Sequence, residues 1–161
     1  GGSWPTDSFD GPKYGNSPWF HKAWGTKACS GPYNPWMTKV DVADLFNSIL
    51  LSEKDSSQTQ YLTPIDGCPN RTPYLPPGIS HQAVIDRLAQ RGVADVGDIG
   101  NIVTGFDNHG NTATLNVVSS KYGLIVFDAN KFKTAFYSRS PGMLNLTTSL
   151  FDFIICPPTC S

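Results

Sequence analysis

One histidine and two arginines in a short stretch are the residues best suited to chemistry on an anionic substrate. Ser80 precedes a run with helical spacing that Gly92 ends, and His81, Arg87 and Arg91 lie within that run. On a helix the two arginines share one border of the apolar stripe, and His81 projects into the middle of it. The helix dipole would keep His81 neutral, as a general base requires. The alternative is a core-edge histidine with satisfied nitrogens, beside arginines whose stems cover apolar surface.

Further basic residues follow near the end of the chain, where a polyanion could be held. Between residues 119 and 140 only Asp128 opposes them. They are Lys121, Lys131, Lys133 and Arg139. Such a cluster is typical of a polyanion-binding surface. The alternative is a solvated sheet face whose lysines protect an edge from pairing.

Metal and paired-glutamate chemistry have little support in the sequence. Glu53 is the only glutamate, so a catalytic pair of glutamates is excluded. The segment from Asp107 to Asn111 resembles part of a calcium loop, but it lacks the distal bidentate carboxylate. We therefore predict a turn there, with His109 exposed and no metal.

The elements that must position these residues can be predicted from spacing. Helices are predicted over 39–51, capped by Thr38, and over 81–91, capped by Ser80, with a weaker helical run over 96–103. Alternation and turn residues predict an antiparallel meander, to which 150–155 could add a fourth strand. Its strands are 112–118, 122–127 and 132–137. The predicted fold class is α+β, with two to three helices packed on a small antiparallel sheet of three to four strands.

A single domain is predicted for residues 1–161, because this length can bury its own core. Residues 1–37 hold all four tryptophans and show neither helical nor strand periodicity, so they form an irregular aromatic arm. Packing of this arm on the domain is favoured over an exposed platform for sugars or bases, because large rings gain most by burial. Residues 38–79 comprise a helix and a proline-rich loop, and residues 80–161 the core and tail.

Four cysteines indicate disulfides rather than zinc, since their spacing contains no Cys-x-x-Cys pair with matching histidines. Two prolines between Cys156 and Cys160 stiffen the tail and disfavour a local bridge. Each tail cysteine is therefore expected to reach back, one to Cys29 and one to Cys68, which would clip the arm and tail onto the core.

Secretion is the predicted location. The sequons at Asn70 and Asn145, together with the cysteines, favour a secreted glycoprotein over a reduced protein with incidental cysteines. The chain has no signal peptide, which indicates a mature form. A net charge of −1 gives no global attraction to nucleic acid or anionic membranes, and no apolar run is long enough to span a bilayer.

About 60 residues resemble a known family. The segments concerned are His81…Arg87-Leu88-Ala89-Gln90-Arg91-Gly92-Val93, then Gly105, Tyr122-Gly123-Leu124-Ile125-Val126-Phe127 and Lys133-Thr134-Ala135-Phe136-Tyr137. Together they are similar to small toxin domains of the barnase/colicin/RelE-like ribonuclease superfamily. The resemblance implies RNA cleavage without a metal or other cofactor, in which the ribose 2′-hydroxyl attacks the adjacent phosphate and leaves a cyclic phosphate.

The same resemblance implies roles for individual residues. His81 would be the general base or acid, and Arg87 or Arg91 would stabilise the charge on the phosphorane. Thr134, with Tyr137 nearby, would orient the phosphate. Lys121 or Lys133 would supply further positive charge. The substrate would be RNA, bound by a monomer that could also meet an immunity or target protein.

A non-catalytic secreted module is the competing hypothesis, binding a protein or a glycan through the aromatic arm. A third possibility is a nuclease fold whose site has decayed. The nuclease hypothesis predicts that His81, Arg87, Arg91 and Thr134 converge in one cleft, within about 10 Å of one another. The binding hypothesis predicts exposed tryptophans in one contiguous patch.

Overall fold

A computed structural model describes residues 37–65, 77–140, 146 and 149–153. Within these residues the fold is α+β, as predicted, with four helices (one of them a 3₁₀ helix, η1) and one three-stranded antiparallel sheet. The elements in chain order are α1 (Lys39–Lys54), η1 (Ser56–Tyr61), α2 (His81–Gln90), β1 (Ile99–Phe106), β2 (Thr112–Ser119), β3 (Gly123–Asp128) and α3 (Ala129–Arg139).

The first two α-helices confirm the predictions made from their caps. The backbone N–H of Asp41 donates to the hydroxyl of Thr38, and the Asp41 carboxylate accepts from the Thr38 N–H, which is a complete capping box. At α2, the Ser80 hydroxyl accepts from the N–H of Ala83. After the last turn of α2, the N–H of Gly92 donates to the carbonyl of Ala89. Helix α1 continues to Lys54, three residues beyond its predicted end.

The sheet is a meander in the order β1-β2-β3. The turn that joins β1 to β2 is the one predicted from its Asp and Asn residues. The Asp107 carboxylate accepts from the N–H groups of His109 and Asn111, and these bonds lower the pKa of Asp107, with the contribution of Asn111 the largest. Strands β2 and β3 match their predicted positions within one or two residues.

The helical prediction for 96–103 is wrong, because these residues enter strand β1. The spacing of Val96, Ile99 and Ile102 fits a helix, but Gly97 adopts a φ of +62° that a helix does not contain. A Cβ on Gly97 would lie 2.3 Å from the Ser120 hydroxyl oxygen, so the chain needs glycine at this close approach. The strand is then completed by pairing with β2, in which Ile102 faces Val117.

The strand prediction for 132–137 is also wrong, because these residues form part of α3. Asp128 caps this helix by accepting from the N–H of Lys131. Phe132 and Phe136, four residues apart, both point into the core. The predicted fourth strand over 150–155 is absent from the described residues 150–153, which pass beside the start of β2, where Phe151 bonds to Thr112. The sheet therefore has three strands, as the predicted meander does, but its first strand is β1, before residue 112, and the segment predicted as its last strand is helix α3.

The core consists of two clusters. The larger one joins α1 and α3 to the inner face of the sheet, and Phe46 lies at its centre, with its ring centroid 4.6 Å from that of Phe127 and 5.3 Å from that of Phe132. The smaller cluster joins α1, η1 and α2. It contains Leu51, Leu62, Val84 and Leu88. Helix α1 therefore contacts the other helices and fixes their relative positions.

Several predictions fall on residues that the structure does not describe. The arm up to residue 36, the four cysteines and the sequon asparagines Asn70 and Asn145 lie outside the described ranges. The clipping of the arm by disulfides, the glycosylation of Asn70 and Asn145, and secretion stay predictions. None of the helices in the described part of the chain is long and apolar enough to cross a membrane.

Candidate functional site

The structure brings Arg87 and Arg91 together in one open pocket of about 480 Å³, beside η1. The Nε and Nη2 atoms of Arg91 donate to one oxygen of Asp55, at 2.9 and 2.8 Å. The Nη1 atom of Arg87 donates to the side-chain oxygen of Gln58 at 2.6 Å, and its guanidinium carbon lies 4.3 Å from the centre of the Tyr61 ring. Both arginines are thus already engaged by η1 and its N-cap.

Asp55 is held in its charged form by this arrangement. The Ser57 hydroxyl donates to it, and this bond, followed by the hydrogen bond from Arg91, lowers the pKa of Asp55 to about 2. The carboxylate therefore stays ionised and continues to neutralise Arg91 at all but strongly acidic pH.

His81 faces a different neighbour. Its Nε2 lies 3.7 Å from an oxygen of Asp41 and 3.8 Å from an oxygen of Asp44, both on α1, and its side chain is 32% exposed. These distances are beyond hydrogen bonding but close enough for an ion pair when the imidazole is protonated. His81 on helix α2 thus faces the carboxylates of α1, whereas Arg87 and Arg91 on the same helix face η1.

The remaining residues of the predicted nuclease site lie on or before α3. Thr134 is exposed, and its hydroxyl donates to the carbonyl of Asn130 at 3.0 Å; it lines a groove separate from the arginine pocket. Tyr137 is 38% exposed, and Lys133 is half-buried. Lys121, at the turn between β2 and β3, forms an ion pair with Asp95.

The groove that contains Thr134 was not recognised from the sequence. It lies between α1, η1 and α3, measures about 340 Å³, and carries five side-chain hydroxyls, so we name it the hydroxyl groove. Its lining residues are Ser48, Ile49, Ser52, Glu53, Thr59, Leu62, Asn130, Lys131, Thr134, Ala135 and Ser138.

Ser48 distinguishes this groove from an ordinary surface depression. Its side chain is 2% exposed, and its hydroxyl oxygen has no hydrogen-bond partner. Buried polar groups are nearly always paired, so an unpaired one that lines a groove needs an explanation. The sequence signal was serine or threonine at four-residue spacing, as at Ser48 and Ser52 and at Thr134 and Ser138. The second pair could not be recognised while its segment was predicted to be a strand.

The outer face of the sheet is the main exposed apolar surface of the described residues. Val118 pairs directly with Leu124, and in the next row Asn116 lies between Val103 and Val126. The four aliphatic side chains are between 45% and 66% exposed. This face offers apolar contact area that a binding partner could cover.

Comparison of the chain with protein-family models, with curated proteins and with solved structures gives no match. The functional inference therefore depends on the geometry of these sites. Among the described residues, no group of three or more histidine, cysteine, aspartate or glutamate side chains is placed to hold a metal ion.

Proposed function

We propose that this protein is a non-catalytic carbohydrate-binding module, and that the hydroxyl groove holds a sugar ring. The observation that carries the proposal is the unpaired hydroxyl of Ser48, buried in the wall of the groove. A buried hydroxyl without a partner costs about 1–3 kcal/mol. A ligand hydroxyl that reaches Ser48 would recover this free energy, which supports a polar ligand in the groove.

The lining of the groove matches the two kinds of surface on a sugar. Its five hydroxyls can bond to the hydroxyls around a sugar ring, and Ile49, Leu62 and Ala135 can contact the apolar faces formed by the ring's C–H groups.

The charge of the groove favours a neutral ligand. Lys131 donates to Glu53 at 2.5 Å across the groove, between α3 and α1. This pair places one positive and one negative charge side by side, and the other lining residues are uncharged. The groove therefore offers no net positive charge with which to hold a phosphate or a nucleotide.

A titration with neutral monosaccharides tests the proposal. We expect glucose, galactose, mannose or N-acetylglucosamine to shift the backbone amide signals of the groove residues in NMR spectra, in a saturable way. Ser48→Ala should weaken this binding at least about tenfold, which corresponds to about 1.4 kcal/mol. The same change should stabilise the free protein by about 1 kcal/mol, because it removes an unpaired buried group.

Ser56→Ala is the matched control, since Ser56 is exposed at the start of η1 and does not line the groove. It should change neither sugar binding nor stability. The proposal fails if no sugar in the panel shifts the groove signals, or if Ser48→Ala binds as tightly as the wild type.

A metal-independent ribonuclease is the second candidate function. It is favoured by the shared pocket of Arg87 and Arg91, where the Tyr61 ring could stack on a base while an arginine contacts a phosphate. The geometry supports it less well than sugar binding, because His81 faces acidic residues of α1 and Thr134 lines the hydroxyl groove.

RNA cleavage in EDTA tests this second candidate. Activity that persists in EDTA and falls at least about 100-fold in both His81→Ala and Arg87→Ala would establish the site. Ser48→Ala serves as the control and should leave cleavage unchanged. Absence of cleavage by the folded wild-type protein would remove the ribonuclease from consideration.

A further inference from the structure

Three hydroxyls of the hydroxyl groove have already donated their protons to helix carbonyls. Ser52 donates to the carbonyl of Ile49 at 2.9 Å, and Thr134 donates to that of Asn130 at 3.0 Å. Ser138 donates to the carbonyl of Thr134 at 2.9 Å. A hydroxyl has one proton and two lone pairs. Each of these oxygens can therefore only accept a further hydrogen bond.

Glu53 is a further acceptor in the groove. Its carboxylate oxygens only accept, and only one of them is paired with Lys131. The lining also contains donors, namely the hydroxyls of Ser48 and Thr59, the side-chain amide of Asn130 and the ammonium of Lys131. The hydroxyls of Ser52, Thr134 and Ser138 nevertheless only accept, so a ligand that bonds to these three must act as the donor.

The positions of these acceptors favour a ring over a linear donor. Thr134 and Ser138 lie one turn apart on α3, and Ser48 and Ser52 lie one turn apart on α1. Side chains at this spacing are neighbours, with Cβ atoms about 5–6 Å apart. A ligand between the two helices therefore meets hydroxyls along two opposite edges.

We infer that the hydroxyl groove selects its sugar through free hydroxyls that donate hydrogen bonds to Ser52, Thr134 and Ser138, and that it rejects the same sugar when those hydroxyls are methylated. This inference rests on the proposed carbohydrate-binding function and adds which side donates: the sugar donates the hydrogen bonds and the protein accepts them. A cationic amine donor is disfavoured, because Glu53 is already neutralised by Lys131.

Matched ligands provide the first test. Each monosaccharide that binds is compared with its fully O-methylated form, which keeps the ring and its oxygens but has no hydroxyl protons. We expect the methylated sugar to bind at least about 100-fold more weakly, since each lost donor leaves an acceptor of the groove unpaired. Methylated and free sugars that bind within about threefold of each other would overturn the inference and leave the proposed function standing.

Variants at Thr134 provide the second test. Thr134→Val removes the acceptor with little change in shape, and Thr134→Ser keeps it. We expect Thr134→Val to weaken binding of the free sugar about tenfold and Thr134→Ser to bind like the wild type, with thermal melting confirming that both are folded. Equal binding by Thr134→Val and the wild type would also overturn the inference. Absence of binding by every sugar, free or methylated, would overturn both this inference and the proposed function.

Discussion

The buried ion pair between Arg139 and Asp44 holds together the helical side of the domain. The Arg139 side chain is 1% exposed and that of Asp44 is 4% exposed. The guanidinium donates to Asp44 through Nε at 2.6 Å and through Nη2 at 3.0 Å. It also donates to the backbone carbonyls of Thr63 and Ile79, at 3.0 and 2.9 Å. One side chain thus links α3 to α1 and to the segments before and after the undescribed residues 66–76.

Breaking this pair should be costly. Asp44→Asn keeps the shape of the side chain but leaves the charge of Arg139 buried and uncompensated, which costs about 3–5 kcal/mol. Arg139→Met should cost a similar amount, because Asp44 then loses its partner and two carbonyls lose a donor. Replacing both partners, as Asp44→Leu with Arg139→Met, removes both charges. The double variant should therefore cost at least about 2 kcal/mol less than the sum of the corresponding single variants.

Urea unfolding of the wild type, the single variants and the double variant measures these free energies. Asp86→Asn is the control, because Asp86 is exposed on α2 and bonds only to Gln82 in its own helix. It should change stability by no more than about 0.5 kcal/mol. A cost below about 1 kcal/mol for Asp44→Asn, or strictly additive single variants, would refute the argument that this pair is a buried, coupled unit.

Three further predictions concern single contacts. Gly78→Ala should lower the melting temperature and reduce the free energy of unfolding by about 3 kcal/mol, because the new Cβ would lie 1.9 Å from the carbonyl oxygen of Thr63. Gly110→Ala is the control: its Cβ would have no atom within 4 Å, so it should reduce the free energy of unfolding by only about 1 kcal/mol, for its left-handed φ. Since the pKa of Asp55 falls from 3.8 to about 2 on folding, its stabilising contribution is present above about pH 4 and is lost as the pH falls through about 2. Asp55→Asn should therefore lower the free energy of unfolding near pH 7, and a pH series of unfolding curves that shows no convergence with the wild type in acid would contradict this assignment. Val126→Lys should reduce the fluorescence of the apolar dye anilinonaphthalene sulfonate, whereas Val40→Lys, at a similarly exposed valine of α1, should not.

Several elements whose boundaries depend on local hydrogen bonds could be predicted from the sequence. Thr38 and Ser80 cap their helices within three residues of themselves, and the turn at Asp107 is closed by its own carboxylate. Strand β2 alternates regularly enough to be recognised alone. The α+β class follows from these elements because each needs an apolar partner surface to cover it.

The tertiary structure decided the elements and sites that depend on distant partners. Residues 96–103 carry spacing that fits a helix, yet the close approach at Gly97 breaks that spacing and pairing with β2 makes residues 99–103 part of a strand. Arg139, which the sequence grouped with surface lysines, is buried because Asp44 lies 95 residues away in the chain but adjacent in space. The hydroxyl groove likewise exists only where α1, η1 and α3 meet, so no local pattern could show that the hydroxyl of Ser48 is buried there without a partner.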